Sequence, residues 1–202
     1  MPDHVVVFDC EHLTERGAPG RFWCGPDDPD PLLVQIGAVR LSLAGDFPLE
    51  ATFERLVEPV GRTGPVPLPA FFTQLTGITQ ERLSEEARPL ADALDDFAAF
   101  CGSAPIFSWG KDEITSLAPA CFVAGLVCPL PATRFHNAAG LLRASGEPLE
   151  TVHGLRSHTI AAHFGLAPEK AHDGLGDARA VARVLQHLLR GGALTPEMLG
   201  HP

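Results

Sequence analysis

Two acidic side chains, one residue apart, follow an apolar segment near the start of the chain. Asp9 and Glu11 end a run over residues 5–11 whose apolar part is rich in valine. Because side chains alternate between the two faces of a β-strand, Asp9 and Glu11 are predicted to point to the same side. Two carboxylates on one face of a buried strand need compensation, which a cation supplies. If the strand instead ends at Phe8, both acids are solvated loop residues, and this stretch alone does not decide between the two.

Two further groups of titratable residues lie at junctions between predicted elements. A short apolar segment over residues 104–109 leads into Asp112 and Glu113, and His172 and Asp177 precede the last predicted helix. Carboxylates that are brought together raise one another's pKa unless a cation neutralises them. Magnesium prefers oxygen ligands and keeps several waters, which suits a site that shares its metal with a substrate phosphate.

Such a group of residues could hydrolyse a phosphodiester. Two divalent ions a few ångströms apart can activate water on one side of the phosphorus and stabilise the leaving oxygen on the other. An imidazole titrates near neutral pH, so His172 is suited to accept the proton of that water. The five-residue spacing between His172 and Asp177 does not place them on one helical face, which favours a loop histidine followed by a helical aspartate.

The predicted elements alternate between strands and helices. Apolar runs predict strands over residues 5–11, 32–41, 51–57, 104–109 and 133–136. Helical spacing of apolar residues predicts a helix over residues 89–102, a second one that follows residue 113 and ends at about residue 126, and two more over 138–144 and 155–164. A last helix is predicted to begin at Asp177. This order predicts an α/β protein with a mixed five-stranded central sheet that helices cover on both sides.

Composition limits the class of protein. At 202 residues, with 45% hydrophobic and 20% charged residues, we expect one globular domain over residues 1–202 with a C-terminal tail over about 191–202. The sequence contains no long apolar span and no leader pattern, and its five cysteines form no CxxC pair, so we expect a soluble cytoplasmic protein without a membrane partner. A formal net charge of -10 argues against a broad basic surface, so a polyanion must be bound locally, through metal ions or a small basic patch.

The ordered set of motifs resembles a known family. The DxE at residues 9–11, the glycine-containing acidic turn at residues 110–113 and the H-x4-D at residues 172–177 are similar to those of the DEDDh 3′-to-5′ exonucleases, which have an RNase H-like fold. The resemblance extends over nearly the whole chain. Residues 35–39 are similar to the second strand of that family, and residues 74–79 to its element beside the 3′-terminal nucleotide. Residues 75–79 and 108–110 most resemble the branch of the Eri1-type exoribonucleases and the bacterial KapD-like proteins.

The resemblance implies a metal-dependent exonuclease that uses two Mg²⁺ or Mn²⁺ ions. It implies single-stranded nucleic acid 3′ ends, of RNA rather than DNA, as substrate, and nucleoside 5′-monophosphates as products. The metal ligands would be Asp9, Glu11 and Asp177, with Asp112 or Glu113 as the fourth acid and His172 as general base. The residues implied to bind the terminal nucleotide are Leu75, Thr76, Gly77 and Ile78, with Ile78 packed on a base.

The second motif departs from the family pattern. The aspartate of that branch stands three residues after the glycine, and here that position is Glu113, whereas Asp112 stands two residues after Gly110. A gapless match favours Glu113, which we slightly prefer, whereas the residue type favours Asp112.

Three histidines near the C-terminal half of the chain have a spacing of five. His153, His158 and His163 would each be turned by about 140° from the last on a helix, so they do not share a face. We predict surface or capping roles for them.

Three other functions remain open. The chain could be a DNA-directed proofreading or repair exonuclease. It could be a catalytically silent module of the same fold that binds nucleic acid or protein. It could also be a metal-dependent hydrolase of small phosphate esters.

Overall fold

The structure is a computed structural model that describes residues 2–200. Within this range the strands are β1 (His4–His12), β2 (Leu33–Ser42), β3 (Leu49–Leu56), β4 (Val60–Gly61), β5 (Gly64–Pro65), β6 (Ile106–Ser108) and β7 (Phe135–Asn137). The helices are α1 (Ala70–Thr76), α2 (Gln80–Glu86), α3 (Leu90–Cys101), α4 (Ala118–Ala124), α5 (Ala138–Ala144), α6 (Leu149–Gly154), α7 (Ser157–His163), α8 (Gly174–Arg190) and α9 (Pro196–Gly200). Short 3-10 helices at Pro19–Arg21 and Ala132–Arg134 and a π-helical turn at Glu113–Leu117 complete the pattern.

A mixed five-stranded sheet in the order β3-β2-β1-β6-β7 forms the centre of the molecule. The first three strands form an antiparallel meander, in which Glu11 of β1 lies opposite Gln35 of β2. Strands β6 and β7 run parallel to β1. This arrangement confirms the predicted α/β class and the mixed five-stranded sheet flanked by helices.

Both faces of β1 are buried, which explains its continuous apolar run. Val5 and Val7 pack with α8 and its neighbours on one face of the sheet. Val6 and Phe8 pack with α3 and α4 on the other. Alternation along the strand therefore directs the acids that follow Val7 toward the face that α8 covers.

The helix α8 begins one turn earlier than predicted. The sequence analysis places its start at Asp177, whereas the helix begins at Gly174 and Asp177 lies in its first turn. The cause is an N-cap: the side chain of Asp173 accepts a hydrogen bond from the backbone N–H of Gly176, with 3.0 Å between the atoms. The two glycines at residues 174 and 176 hide this start from an analysis of apolar periodicity.

Other boundaries differ by a few residues. The predicted helix over residues 155–164 is α7, Ser157–His163, and the separate short helix α6 precedes it. The predicted C-terminal tail contains α9, whose Leu199 is fully buried in the core on the α8 face. Across residues 2–200, no helix combines the length and apolar character needed to cross a bilayer.

Candidate metal-binding active site

Three carboxylates converge at the C-terminal edge of β1. Asp9 and Glu11 come from β1 and Asp177 from the first turn of α8. Each offers an oxygen that lies within 4.8 Å of the others. Asp9 is only 9% exposed and Asp177 only 4% exposed, so two of these acids are buried. Strand alternation and the packing of α8 on the sheet thus bring together the three residues for which the sequence predicts metal binding.

The backbone of α8 contacts the sheet directly, and this contact fixes the position of Asp177. A Cβ atom at Gly37 would lie 2.0 Å from the backbone nitrogen of Leu175, so only glycine allows the two backbones to come this close. Beside it, the side-chain oxygen of Gln35 accepts a hydrogen bond from the backbone N–H of Gly174 at 2.8 Å. The start of α8 is therefore held on β2, next to the acids of β1.

Gln35 also connects the start of α8 with the outer strand of the sheet. It is fully buried, and its side-chain nitrogen donates to Glu54 on β3 at 3.0 Å and to Asp173 at 3.4 Å. Glu54 in turn accepts a hydrogen bond from Arg82 of α2 at 2.8 Å. A polar network thus runs from the surface of α2 to the cap of α8.

Asp112 joins the carboxylates from the neighbouring parallel strand. It follows β6, and its side chain shares a hydrogen bond with Asp9. The preceding turn is held by Asn137, whose side-chain oxygen accepts from the backbone N–H groups of Gly110 at 3.1 Å and Ala139 at 2.9 Å. We call Asp9, Glu11, Asp112 and Asp177 the acidic cluster.

Glu113 occupies a different environment from Asp112. It begins the π-helical turn and lines a cavity of about 390 Å³ together with His136 and Met198. Asp112 therefore lies with the carboxylates at the end of β1, whereas Glu113, which a gapless motif match prefers, lines a separate cavity. A π-helical turn accommodates an extra residue relative to an α-helix, and a gapless match takes no account of such a turn.

Burial and mutual repulsion hold protons on the acidic cluster. Burial, followed by the charges of Asp112, Glu11 and Asp177, raises the pKa of Asp9 well above its usual value. Burial and the same kind of repulsion raise the pKa of Glu11 to about 8 and that of Asp112 to about 7. Burial raises the pKa of Asp177 to about 6. A divalent cation would remove the repulsion and release these protons.

Two oxygens of the cluster also fit a cation because they have no other partner. Oδ2 of Asp112 and Oδ1 of Asp177 are buried, and within residues 2–200 neither has a hydrogen-bond partner. A buried carboxylate oxygen without a partner is costly, and coordination of a hard cation is one way to satisfy it. The donor set of the cluster consists of carboxylate oxygens, which Mg²⁺ and Mn²⁺ prefer.

His172 lies beside Asp177 in the loop that leads into α8. Its backbone has a positive φ of 55°, which is unusual for a residue with a side chain. The backbone N–H of His172 donates a hydrogen bond to the Asp177 carboxylate. The ring of His172 contacts that of His158 on α7, with 4.8 Å between ring centroids.

His158 is a contact that the sequence analysis missed. It is exposed, as expected for a surface histidine, but it also packs against the candidate general base. The spacing of residues within α7 does not predict this contact, because the partner of His158 is His172 in the loop before α8.

The residue after Glu11 is a second one whose role sequence reasoning missed. The ring nitrogen Nδ1 of His12 lies 3.0 Å from the hydroxyl of Ser116 in the π-helical turn. Burial lowers the pKa of His12 to about 4, so the ring is neutral near pH 7. The indole of Trp23 lies against the same ring, with 5.0 Å between centroids. His12 therefore links the end of β1 to the segment that follows Asp112.

The residues predicted to bind the terminal nucleotide lie at the end of α1. Thr76 is 2% exposed, and its hydroxyl donates to the carbonyl of Phe72 at 3.0 Å and accepts from the N–H of Ile78 at 3.1 Å. Ile78 is 1% exposed and packs in a small core with Leu13. This burial disagrees with the expectation that the Ile78 side chain stacks on a base.

The other two members of this set are accessible. Leu75 is half-buried, and Gly77 is exposed with a φ of 77°. Leu13 follows Glu11 by two residues and belongs to the same apolar cluster as Ile78, so one cluster connects the end of α1 with the end of β1.

Comparison with solved structures finds this fold among 3′-exonucleases. The nuclease domain of 3′hExo, a DEDDh family member bound to rAMP, has a TM-score of 0.76 and 21% identity over 95% of this chain and 94% of that domain. A 3′-exonuclease that recognises the 3′ end of a histone mRNA stem-loop has a TM-score of 0.72 and 20% identity, covering 95% and 83% of the two chains. A zinc-bound complex of E. coli exonuclease I with single-stranded DNA has a TM-score of 0.63 and 12% identity over 93% of this chain.

These likenesses establish the RNase H-like fold that the sequence resemblance implies. The matched region covers 41% of the exonuclease I chain. No protein-family model and no curated protein sequence matches the chain.

Proposed function

We propose that this protein is a metal-dependent 3′-to-5′ exonuclease that releases nucleoside 5′-monophosphates from single-stranded 3′ ends, with RNA as the preferred polymer. The observation that carries the proposal is the acidic cluster. Asp9, Glu11 and Asp177 offer oxygens within 4.8 Å of one another, and Asp112 shares a hydrogen bond with Asp9. The likeness in fold between this chain and the DEDDh nuclease domain bound to rAMP supports the same assignment.

The acidic cluster would bind the metal ions, and His172 would transfer the proton. Asp9, Glu11 and Asp177 would hold two Mg²⁺ or Mn²⁺ ions, with Asp112 as the fourth acid. When bound, these ions would polarise the attacking water and stabilise the leaving oxygen. A ring nitrogen of His172 would accept the proton of that water, since the His172 loop is anchored beside Asp177.

The terminal nucleotide would lie beside the end of α1. Leu75 and the backbone of Gly77 are the accessible members of the predicted set. Thr76 and Ile78 are buried, and the Thr76 hydroxyl holds the turn through its hydrogen bonds to the backbone of Phe72 and Ile78. A pocket that contacts a base through apolar surface and backbone is tolerant of sequence, which suits an enzyme that accepts each successive end.

RNA is preferred over DNA as the proposed substrate because of the neighbouring structures. The two with the higher TM-scores are the nuclease domain bound to rAMP and the exonuclease that recognises a histone mRNA stem-loop. The likeness to the exonuclease I complex with single-stranded DNA favours DNA as the second candidate.

The test uses 5′-labelled single-stranded RNA and DNA oligomers of one sequence, incubated with Mg²⁺ or Mn²⁺ and resolved on a sequencing gel. We expect a metal-dependent ladder that shortens from the 3′ end, faster for RNA. The ladder should vanish with EDTA and in Asp9→Asn. A matched control is Asp95→Asn, since Asp95 is an exposed acid of α3.

Other outcomes select the alternatives. Faster cleavage of the DNA oligomer would assign a DNA exonuclease. Turnover of mononucleotide phosphate esters with intact oligomers would assign a small-molecule hydrolase. If neither class of substrate is cleaved with either metal, the chain is a silent binding module and the proposal fails.

A further inference from the structure

A second group of potential metal ligands lies next to the acidic cluster. His158, His172 and Asp177 each offer one ligand atom, and these atoms lie within 4.8 Å of one another. They come from α7, from the loop before α8 and from α8 itself. Only Asp177 belongs to both groups.

The donor chemistry of this group differs from that of the acidic cluster. Two imidazole nitrogens and one carboxylate oxygen form a ligand set that zinc prefers, and the fourth tetrahedral position remains for water. Mg²⁺, in contrast, prefers oxygen ligands. The two neighbouring groups therefore select different metals.

The geometry can close on an ion with little movement. In a tetrahedral zinc site with bonds of about 2.0–2.1 Å, ligand atoms lie about 3.4 Å apart. The exposed ring of His158 can rotate toward the other two, since α7 packs directly on α8. The buried Oδ1 of Asp177, which has no hydrogen-bond partner within residues 2–200, is already available.

We propose that His158, His172 and Asp177 form an inhibitory zinc site. An ion held there engages the ring nitrogen of His172 that would otherwise accept a proton. It also draws Asp177 away from the acidic cluster. The inhibition rests on the proposed function, whereas zinc binding does not.

Zinc affinity is measured first, without reference to nuclease activity. The protein carries Asp9→Asn to weaken the acidic cluster, and it is titrated with Zn²⁺ against a chromophoric zinc indicator, with and without His158→Ala. We expect His158→Ala to weaken zinc binding by at least about tenfold, since loss of a ligand should cost no less than loss of an outer-shell partner. The matched control is His163→Ala, because His163 lies on the same helix but pairs with Glu147 at 3.0 Å; it should leave zinc affinity unchanged.

Cobalt provides a readout of the ligand geometry. Co²⁺ substituted for zinc should give the intense visible absorption of a tetrahedral site, and His158→Ala should abolish it. The thermal unfolding midpoint of each variant confirms that it folds. Equal zinc affinity with and without His158 would overturn the proposal, as would affinity that disappears with Asp9→Asn alone.

The functional arm separates the two proposals. With Mg²⁺ present, low concentrations of Zn²⁺ should inhibit oligonucleotide cleavage by the wild-type protein but not by His158→Ala, each compared with its own rate without zinc. Equal inhibition of both proteins would overturn the inhibitory role. If zinc binding depends on His158 but no variant cleaves nucleic acid, the zinc site stands and the exonuclease assignment fails.

Discussion

The side-chain oxygen of Gln35 accepts a hydrogen bond from the backbone N–H of Gly174, with 2.8 Å between the two atoms. This bond joins a central strand to the first residue of α8, 139 positions further along the chain. Gln35 also donates to Asp173, the cap of that helix. One buried amide therefore sets the position of the segment that carries both His172 and Asp177.

Replacement of Gln35 should lower activity more than stability. Gln35→Ala leaves the buried N–H of Gly174 without a partner, which should cost about 1–3 kcal/mol in the free energy of unfolding. The helix start would also lose its anchor, so we expect kcat for oligonucleotide cleavage to fall while KM changes little. Gln35→Met keeps most of the side-chain volume but removes the acceptor for Gly174, so kcat should fall here too. A wild-type kcat in Gln35→Met would show that the bond to Gly174 has no positioning role.

The fourth acid can be identified by exchanging the two candidates separately. We expect Asp112→Asn to reduce cleavage to background, because Asp112 shares a hydrogen bond with Asp9. Glu113→Gln should remain close to the wild-type rate. Without metal, Asp112→Asn should also raise the thermal midpoint at pH 8, since it removes one of several repelling buried charges. A reversed pattern of activities would return the role to Glu113.

His172 should be needed for the chemical step and not for metal binding at the acidic cluster. We expect His172→Gln to lower kcat by about 100- to 10,000-fold, the range for loss of a general base. The affinity for Mg²⁺, followed by the thermal shift it causes, should be retained. Loss of that thermal shift together with activity would instead indicate that His172 shapes the cluster itself. His153→Gln, on the exposed surface of α6, is the matched control.

The stability of the metal-free protein should fall as the pH rises from about 6.5 to 8.5. The pKa of Glu11 is raised to about 8 and that of Asp112 to about 7, so the folded state holds protons that the unfolded state has already released. His12, with its pKa lowered to about 4, opposes this trend only at lower pH, where an unfolded histidine gains a proton. Thermal unfolding at a series of pH values measures the trend.

Magnesium should counteract this dependence on pH. A cation competes with protons for the same carboxylates, so the increase in thermal midpoint caused by Mg²⁺ should be larger at pH 8.5 than at pH 6.5. In Asp9→Asn the increase should be small at both. A shift that does not depend on pH would mean that the cation binds elsewhere.

Sequence patterns predict the backbone of this site better than its details. Alternation along an apolar strand is enough to predict that Asp9 and Glu11 share a face, and the order of elements is enough to predict the sheet. The start of α8 was placed too late, because Asp173 acts through a cap and the first turn contains two glycines. Neither the cap nor the glycines contribute to the apolar periodicity from which the helix was predicted.

Contacts between distant segments account for what else was missed. His158 meets His172 only because α7 packs on α8, and His12 meets Ser116 only because the π-helical turn lies beside β1. Which of Asp112 and Glu113 lies beside Asp9 depends on the path of the backbone after β6. A single sequence gives no distances between such segments, so these relationships emerge only from the three-dimensional structure.

The contact between Gly37 and Leu175 has a consequence for the order of events during synthesis. Asp9 and Glu11 are synthesised before the helix that supplies Asp177, and this helix must dock on β2 before the acids meet. Contacts between residues so far apart form late in folding. Until α8 has been made and has docked on β2, the chain therefore lacks the assembled acidic cluster.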